Sequence, residues 1–402
     1  MTILLSIIGL GVIIFIHELG HFLVSLGLGM RPRRFYIGFP PAIWKTNRNG
    51  IEYGIGAIPL GGFVKIPGMH RPAPVDVDMG IGRVAADVPA LASPTQRLRS
   101  ALAAGDHDTA RDSVHVLRGL VAEEELEQRA GAAATKSLDD LDDALGPRAY
   151  WRAATWKRVA AIAAGPAANV VLAIVIFTIL FMTSAGKATT TVDHVAGNSP
   201  AAAAGLRAGD RLESINGTPV AADRISSIIS GSEGRPLTVV VVRDGARVSL
   251  PPTRPRVLDG SYRLGFVLAG EGLSFGSATR ESVVLTGEVT REIGKSLGRL
   301  AQGEGSEDVS SPVGIVRGSS DAAKEGAQSF FFVLGLISLS VALLNLLPFL
   351  PLDGGHIVFA IAEGIRGRAV RREIYERVSV FGIALVVLLF FAGLTNDINR
   401  LT

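Results

Sequence analysis

From Ile3 to Leu28 the chain is almost wholly apolar, and roughly 20 such residues suffice for a helix to cross a bilayer. Yet His17, Glu18 and His21 stand in the middle of this run, in the stretch IFIHELGHFL at 14–23. An ionisable side chain is costly in hydrocarbon, so three of them together mark a site turned towards protein or a wet cavity. The basic residues follow the run rather than precede it, and no small-residue cleavage signature closes it. The segment 1–30 therefore reads as a retained span and not a removable leader.

Three further stretches share this character, at 159–183, 330–360 and 378–395. With 48% hydrophobic and only 19% charged residues, the chain is too apolar for a soluble protein and too polar for spans alone. A polytopic α-helical membrane protein is expected, with about four transmembrane helices and soluble modules between them. There is no cysteine, which excludes disulfides and thiolate metal sites. The net charge of +3 is small, and no basic run carries the aromatic interleaving of a nucleic-acid surface, so nucleic acid is not an expected partner. The lipid bilayer is. Arg31, Arg33, Arg34, Lys45 and Arg48 follow the first span, and Lys157 and Arg158 precede the second. Arg366, Arg368, Arg371, Arg372 and Arg377 lie between the last two. An excess of Lys and Arg marks the cytoplasmic side, which puts 31–158 and the third connection there. Both termini and the stretch 186–328 then lie outside.

The modules differ in texture. Within 31–158, the stretch IEYGIGAIPLGGFVKI (51–66) alternates like strands and has Gly61-Gly62 as its expected turn, so a membrane-associated β-hairpin is predicted. The Ala-rich, acidic insert at 80–146 is punctuated like short helices, with EEELEQ and LDDLDD read as solvated helix faces. Outside, apolar strands flank Asp244-Gly245, a strong hairpin signal, and a β-rich module is expected over 186–270. In 276–328, Leu285, Val289, Ile293, Leu297 and Leu300 recur at helical intervals, predicting an amphipathic helix followed by a polar linker.

His17 and His21 are four residues apart, so on a helix they project from one face and can grip one ion. Zinc suits imidazole ligands, and Glu18, rotated to the side, is placed to act as a general base. A third ligand is needed. In NLLPFLPLDGGH (345–356), Pro348, Pro351, Gly354 and Gly355 are expected to break the helix beside Asp353. Broken backbone at membrane depth belongs in protein or on a wet cavity, which favours Asp353 as the ligand. His356, nearer the interface, is the alternative.

The HELGH of 17–21, with Asn345 and Pro348 in NLLP and with Leu352-Asp353-Gly354, resembles the site-2 protease family of intramembrane zinc metalloproteases. IPLGGFVKIPG (58–68) is similar to the membrane-associated β-loop of its bacterial branch. AAGPAANVVLA (163–173) is similar to the start of its second span, and SPAAAAGLRAGDRLESING to its extracytoplasmic PDZ domain. The likeness covers most of the chain except 80–146. It implies one Zn2+ held by His17, His21 and Asp353, with Glu18 as base and Asn345 holding the substrate backbone or its oxyanion. It implies that the β-loop, with Gly61, Gly62 and Phe63, and the Pro348 break hold an extended substrate. It also implies a gatekeeping PDZ domain in which Gly205 and Leu206 match motif positions. Substrates would be single-span membrane proteins such as anti-sigma factors, or remnant signal peptides, trimmed beforehand by a site-1 protease that acts indirectly. One PDZ domain instead of a tandem, and the insert, depart from the best-known layout. The rival readings are a membrane-anchored PDZ scaffold without activity, which has no use for Glu18, and a metal transporter, for which no inverted repeat is apparent.

Overall fold

Apolar helices that bury little of their length need a nonaqueous surrounding, and this chain has four among its described residues. They are α1 (Thr2–Gly27) and, further on, the helices Thr155–Met182, Ala327–Asn345 and Arg372–Asn399. Ile3, Leu4 and Ile8 on the first are 54–61% exposed. The computed structural model describes all residues except 125, 184–186, 259, 306–309, 371 and 400–402. Glu125 of the acidic run, Gly186 at the edge of the β-rich module, part of the polar linker and Arg371 of the charge cluster lie outside the described residues.

After α1 come strands β1 (Arg34–Arg48) and β2 (Ile51–Lys65), then helices α2 (Pro74–Met79), α3 (Ile81–Ala85), α4 (Pro89–Ala104), α5 (His107–Glu123) and α6 (Gln128–Leu145). Helix α7 (Thr155–Met182) leads to β3 (Lys187–Val195), α8 (Pro200–Ala203), β4 (Arg211–Ile215), β5 (Thr218–Pro219) and α9 (Ala222–Ser230). Next are β6 (Val239–Arg243), β7 (Ala246–Ser249), β8 (Arg256–Leu258), β9 (Ser261–Arg263) and β10 (Phe266–Glu271). Helices α10 (Phe275–Ala301), α11 (Pro312–Glu325), α12 (Ala327–Asn345), α13 (Asp353–Arg366) and α14 (Arg372–Asn399) close the chain. Contacts divide it into one unit of Met1–Ala173 with Val289–Thr402 and a second of Ile174–Glu288.

In the first unit, the β-hairpin turns at Asn49-Gly50, not at Gly61-Gly62. Both residues of that pair adopt positive φ, 54° and 74°, as a type I′ turn requires. Its arms pair from Arg48↔Ile51 to Trp44↔Ile55, and the opening residues of β1 lie beside both Glu52–Ile55 and Gly62–Lys65. Gly61 and Gly62 thus sit within β2, where their lack of a side chain permits close packing. A Cβ on Gly62 would come within 2.7 Å of the Tyr36 carbonyl oxygen and 2.9 Å of Glu18 Cγ.

The insert is a helical bundle with its own dry core. Ala110, Val114, Leu117 and Val121 of α5, and Ala134, Leu138, Leu141 and Leu145 of α6, are buried at helical spacing. Asp106 caps α5 by accepting the Thr109 amide at 3.1 Å. The aspartates of LDDLDD line the solvated side of α6, with Asp139 57% and Asp140 43% exposed, while its leucines enter the core; Asp140 pairs with Lys65 at 2.5 Å, Asp142 with Arg111 at 3.0 Å and Asp143 with Arg33. EEELEQ is not one helix face, because Glu123 closes α5 and Gln128 opens α6.

The expected polar linker also holds more structure than its composition suggests. Ser311 caps α11, and Asp397 near the end of α14 accepts from the Ser311 amide at 2.9 Å and the Gly314 amide at 3.1 Å. A distant carboxylate therefore satisfies the open N–H groups that a short helix leaves at its start.

The second unit is the expected β-rich module. Its main sheet has the order β10-β3-β4-β6-β7, with β5 on β4, and Val192, Leu212, Ile215, Ile225 and Val241 are at most 2% exposed. Asp244-Gly245 makes the predicted turn, with φ of 49° and 82°. Arg243 grips Asp210 through two bonds of 2.7 and 2.6 Å and donates to the Gly205 carbonyl at 2.8 Å. Those bonds to the guanidinium hold the Asp210 carboxyl below its ordinary pKa. On α10, the predicted stripe of Leu285, Val289, Ile293, Leu297 and Leu300 is half-buried.

Candidate metal centre

Helix α1 buries a stripe of Ser6, Gly9, Ile13, His17, His21 and Ser25, spaced by three or four and small or polar at every position but Ile13. Small residues let helices approach closely where no hydrophobic drive separates lipid from protein. A Cβ on Gly9 would crowd Leu334 of α12 at 2.8 Å, and one on Gly20 would overlap the Ala164 carbonyl of α7. Gly165 of α7 lies directly against the His21 ring, where a methyl group has no room. Both imidazoles are thereby held between helices, each 7% exposed.

Asp353 arrives from the other end of the sequence. Helix α12 stops at Asn345, and Pro348 and Pro351 lie in the irregular segment before α13 starts. Asp353 is the first residue of α13 and caps nothing; Leu352 precedes it as the N-cap. Gly354 and Gly355 do not break the helix as expected. They lie in its first turn, and a Cβ on either would collide with backbone of the segment 346–350. Their absent side chains let the turn pack onto the break and deliver the carboxylate.

The result is a tight triangle. Asp353 Oδ2 lies 3.1 Å from His17 Nε2 and 3.3 Å from His21 Nε2, and the two nitrogens are 3.2 Å apart. A tetrahedral ion with bonds of about 2.0–2.2 Å holds its ligand atoms roughly 3.3–3.5 Å from one another. The buried Oδ2 has no hydrogen bond of acceptable direction, despite two nitrogens so near. Two imidazole nitrogens and one carboxylate oxygen, with no sulfur, form a donor set that suits zinc in an open catalytic site. His17, His21 and Asp353 are a candidate metal site on this geometry.

The other predicted residues fall into three places. Glu18 is half-buried beside the triangle, with Gly62 of β2 against its side chain, and Gly61 and Phe63 flank that contact. Asn345 is half-buried at the end of α12, and Pro348 is exposed in the break. Gly205 and Leu206 belong to the second unit, where Leu206 is buried in the core and Gly205 is exposed with φ 82°. His356, the alternative ligand, is not in the triangle; its Nδ1 meets the Tyr375 hydroxyl.

Sequence reasoning missed two partners. The Ala161 carbonyl accepts from His21 Nδ1 at 3.0 Å, and Asn169 approaches His17 Nδ1 at 3.4 Å. A backbone carbonyl leaves no trace in a sequence. Asn169 does leave one, as a polar residue inside an apolar span.

The sequence profile of peptidase family M50 matches residues 5–389. The chain belongs to peptidase family M50. It is 29% identical to the regulator of sigma-W protease RasP of Bacillus subtilis, over all of this chain and 99% of that one. The zinc metalloprotease RasP of Bacillus licheniformis is likewise 29% identical, again over 100% of this chain and 99% of its own. This M50 chain is therefore a zinc metalloprotease of the site-2 type, and its four apolar helices make it a multi-pass membrane protein.

Proposed function

We propose that this M50 protease cleaves membrane-spanning segments of single-span proteins, with anti-sigma factors and remnant signal peptides as the substrate classes. The observation that carries the reading is the triangle of His17, His21 and Asp353 with Glu18 at its side, built on helices that expose apolar flanks. His17, His21 and Asp353 hold the zinc. When bound, the ion acts as a Lewis acid that polarises the scissile carbonyl and the attacking water. The Glu18 carboxylate takes the proton from that water and passes it to the leaving amide nitrogen. Asn345 donates its side-chain amide to the oxygen on which negative charge develops.

A helical substrate must unwind before its peptide bond is open to attack. The edge of β2 at Gly61, Gly62 and Phe63 pairs with the unwound stretch as an added strand, and the proline-broken segment at Pro348 gives it room. Contact between Gly62 and Glu18 supports this, since the strand edge then runs beside the base. The second unit acts as a single PDZ domain, outside the cytoplasm, that admits substrates already trimmed by a site-1 protease. Gly205 and Leu206 shape its loop, which Arg243 braces. The helical insert and the β-hairpin lie on the cytoplasmic side, and both termini lie outside, following the Lys and Arg bias.

The test is cleavage of a single-span reporter whose outer domain has been removed. Glu18→Gln is expected to slow it by about 10²–10⁴-fold, the usual share of a general base, while zinc stays bound. Unchanged cleavage in that variant refutes the mechanism.

A further inference from the structure

We propose that Asn169 is a positioning residue that holds His17 in the tautomer able to bind zinc, an inference that rests on the metal-site reading above. His17 directs Nε2 at Asp353 and His21, so as a ligand it carries its proton on Nδ1. A metal-bound imidazole almost always donates that second N–H to a fixed acceptor. His21 does so to the Ala161 carbonyl at 3.0 Å. The corresponding neighbour of His17 Nδ1 is Asn169, whose amide nitrogen Nδ2 lies 3.4 Å away.

Asn169 is wholly buried, and its Oδ1 has no hydrogen-bond partner. Its main chain is anchored, because its carbonyl accepts from Ser338 of α12 at 2.9 Å. The two ends of an amide exchange places by a half-turn about the last side-chain torsion. With Nδ2 towards the ring, the amide donates to an unprotonated Nδ1, and the proton then sits on Nε2, where it blocks metal binding. With Oδ1 towards the ring, the amide accepts from Nδ1–H, and Nε2 keeps its lone pair for the ion. An asparagine serves both states of one histidine without moving its backbone. An aliphatic residue serves neither.

The test is zinc affinity of the full chain in detergent, measured by competition with a chromophoric chelator. Reporter cleavage and imidazole nitrogen NMR of His17 are read alongside. Asn169→Leu is expected to weaken zinc binding about 10–100-fold, the usual effect of removing such a partner. Asn169→Asp keeps an acceptor and is expected to retain wild-type affinity, with His17 protonated on Nδ1. Should the leucine variant not fold, Asn169→Ser, too short to reach the ring, takes its place against Asn169→Asp. Wild-type affinity in Asn169→Leu, or equal weakening in Asn169→Asp, overturns the inference while the metal site stands. If His17→Ala does not weaken zinc binding either, both readings fall together.

Discussion

The membrane-spanning helices and the helical insert differ in what they bury and in what they show. In the insert, Ile81, Leu91, Leu98, Leu117 and Leu138 are all 0% exposed, as in any water-soluble bundle. In the spans the fully hidden side chains include Ser25, Asn169 and Ser338 at 0%, while Phe381 and Leu388 of α14 are 71% and 64% exposed. Water drives the first arrangement by expelling apolar surface. Lipid gives apolar side chains no drive to hide, so small residues and polar bonds share the interior with apolar ones such as Ile13 and Leu339. The metal site exploits the second arrangement, whose interior already holds polar groups such as Asn169 and Ser338.

This contrast is easiest to break at its functional end. His21→Leu makes the buried stripe of α1 more apolar, and it is expected to abolish reporter cleavage and zinc binding while thermal stability in detergent holds. A collapse of the fold would show that the histidine is structural. The opposite change belongs in the insert. Leu117→Ala is expected to cost about 2–5 kcal/mol of local stability, read as lost amide-exchange protection across α4–α6, with zinc affinity unchanged. Loss of zinc in that variant would mean that the two cores are coupled.

Smaller effects sharpen the picture. Gly165→Ala pushes a methyl group into the His21 ring, an overpacking worth about 1–3 kcal/mol, and is expected to weaken zinc affinity accordingly. In the β-rich unit, Asp210 has a lowered folded pKa, owing first to its Arg243 bonds. Its contribution to stability is thus complete above the unfolded carboxyl value of about 3.9 and fades as pH falls through the lower folded value. Acid melts of wild type against Asp210→Asn check this, with the two curves converging only in strong acid. Last, Asp140→Asn removes the pair with Lys65, both partners being about a third or more exposed, and should change stability by less than about 1 kcal/mol.

Much of this protein was legible in one dimension because the signals are local. Apolar runs, the four-residue spacing of His17 and His21, and the Asp244-Gly245 turn each depend on residues near one another in the chain. They predicted four spans, the β-rich module, the stripe on α10 and the two histidines of the candidate metal site. The hairpin turn was misplaced because Gly61-Gly62 and Asn49-Gly50 are both turn-like locally, and only pairing with β1 decides between them. The linker over 303–316 hid the start of α11, whose N-cap Ser311 is held by Asp397, 86 residues further on. Asp353 was anticipated from a break beside it, but its place 3.1 Å from His17 depends on two glycines that let α13 fold back on the break. The acceptor for His21 lies 140 residues away in a backbone carbonyl, and Asn169 is 152 residues from the ring it faces. Periodicity and composition tell a chain which faces to bury. Which distant atoms then meet is settled only when helices close on one another, because hydrogen bonds and metal ligation act over about 3 Å and carry no record of sequence separation.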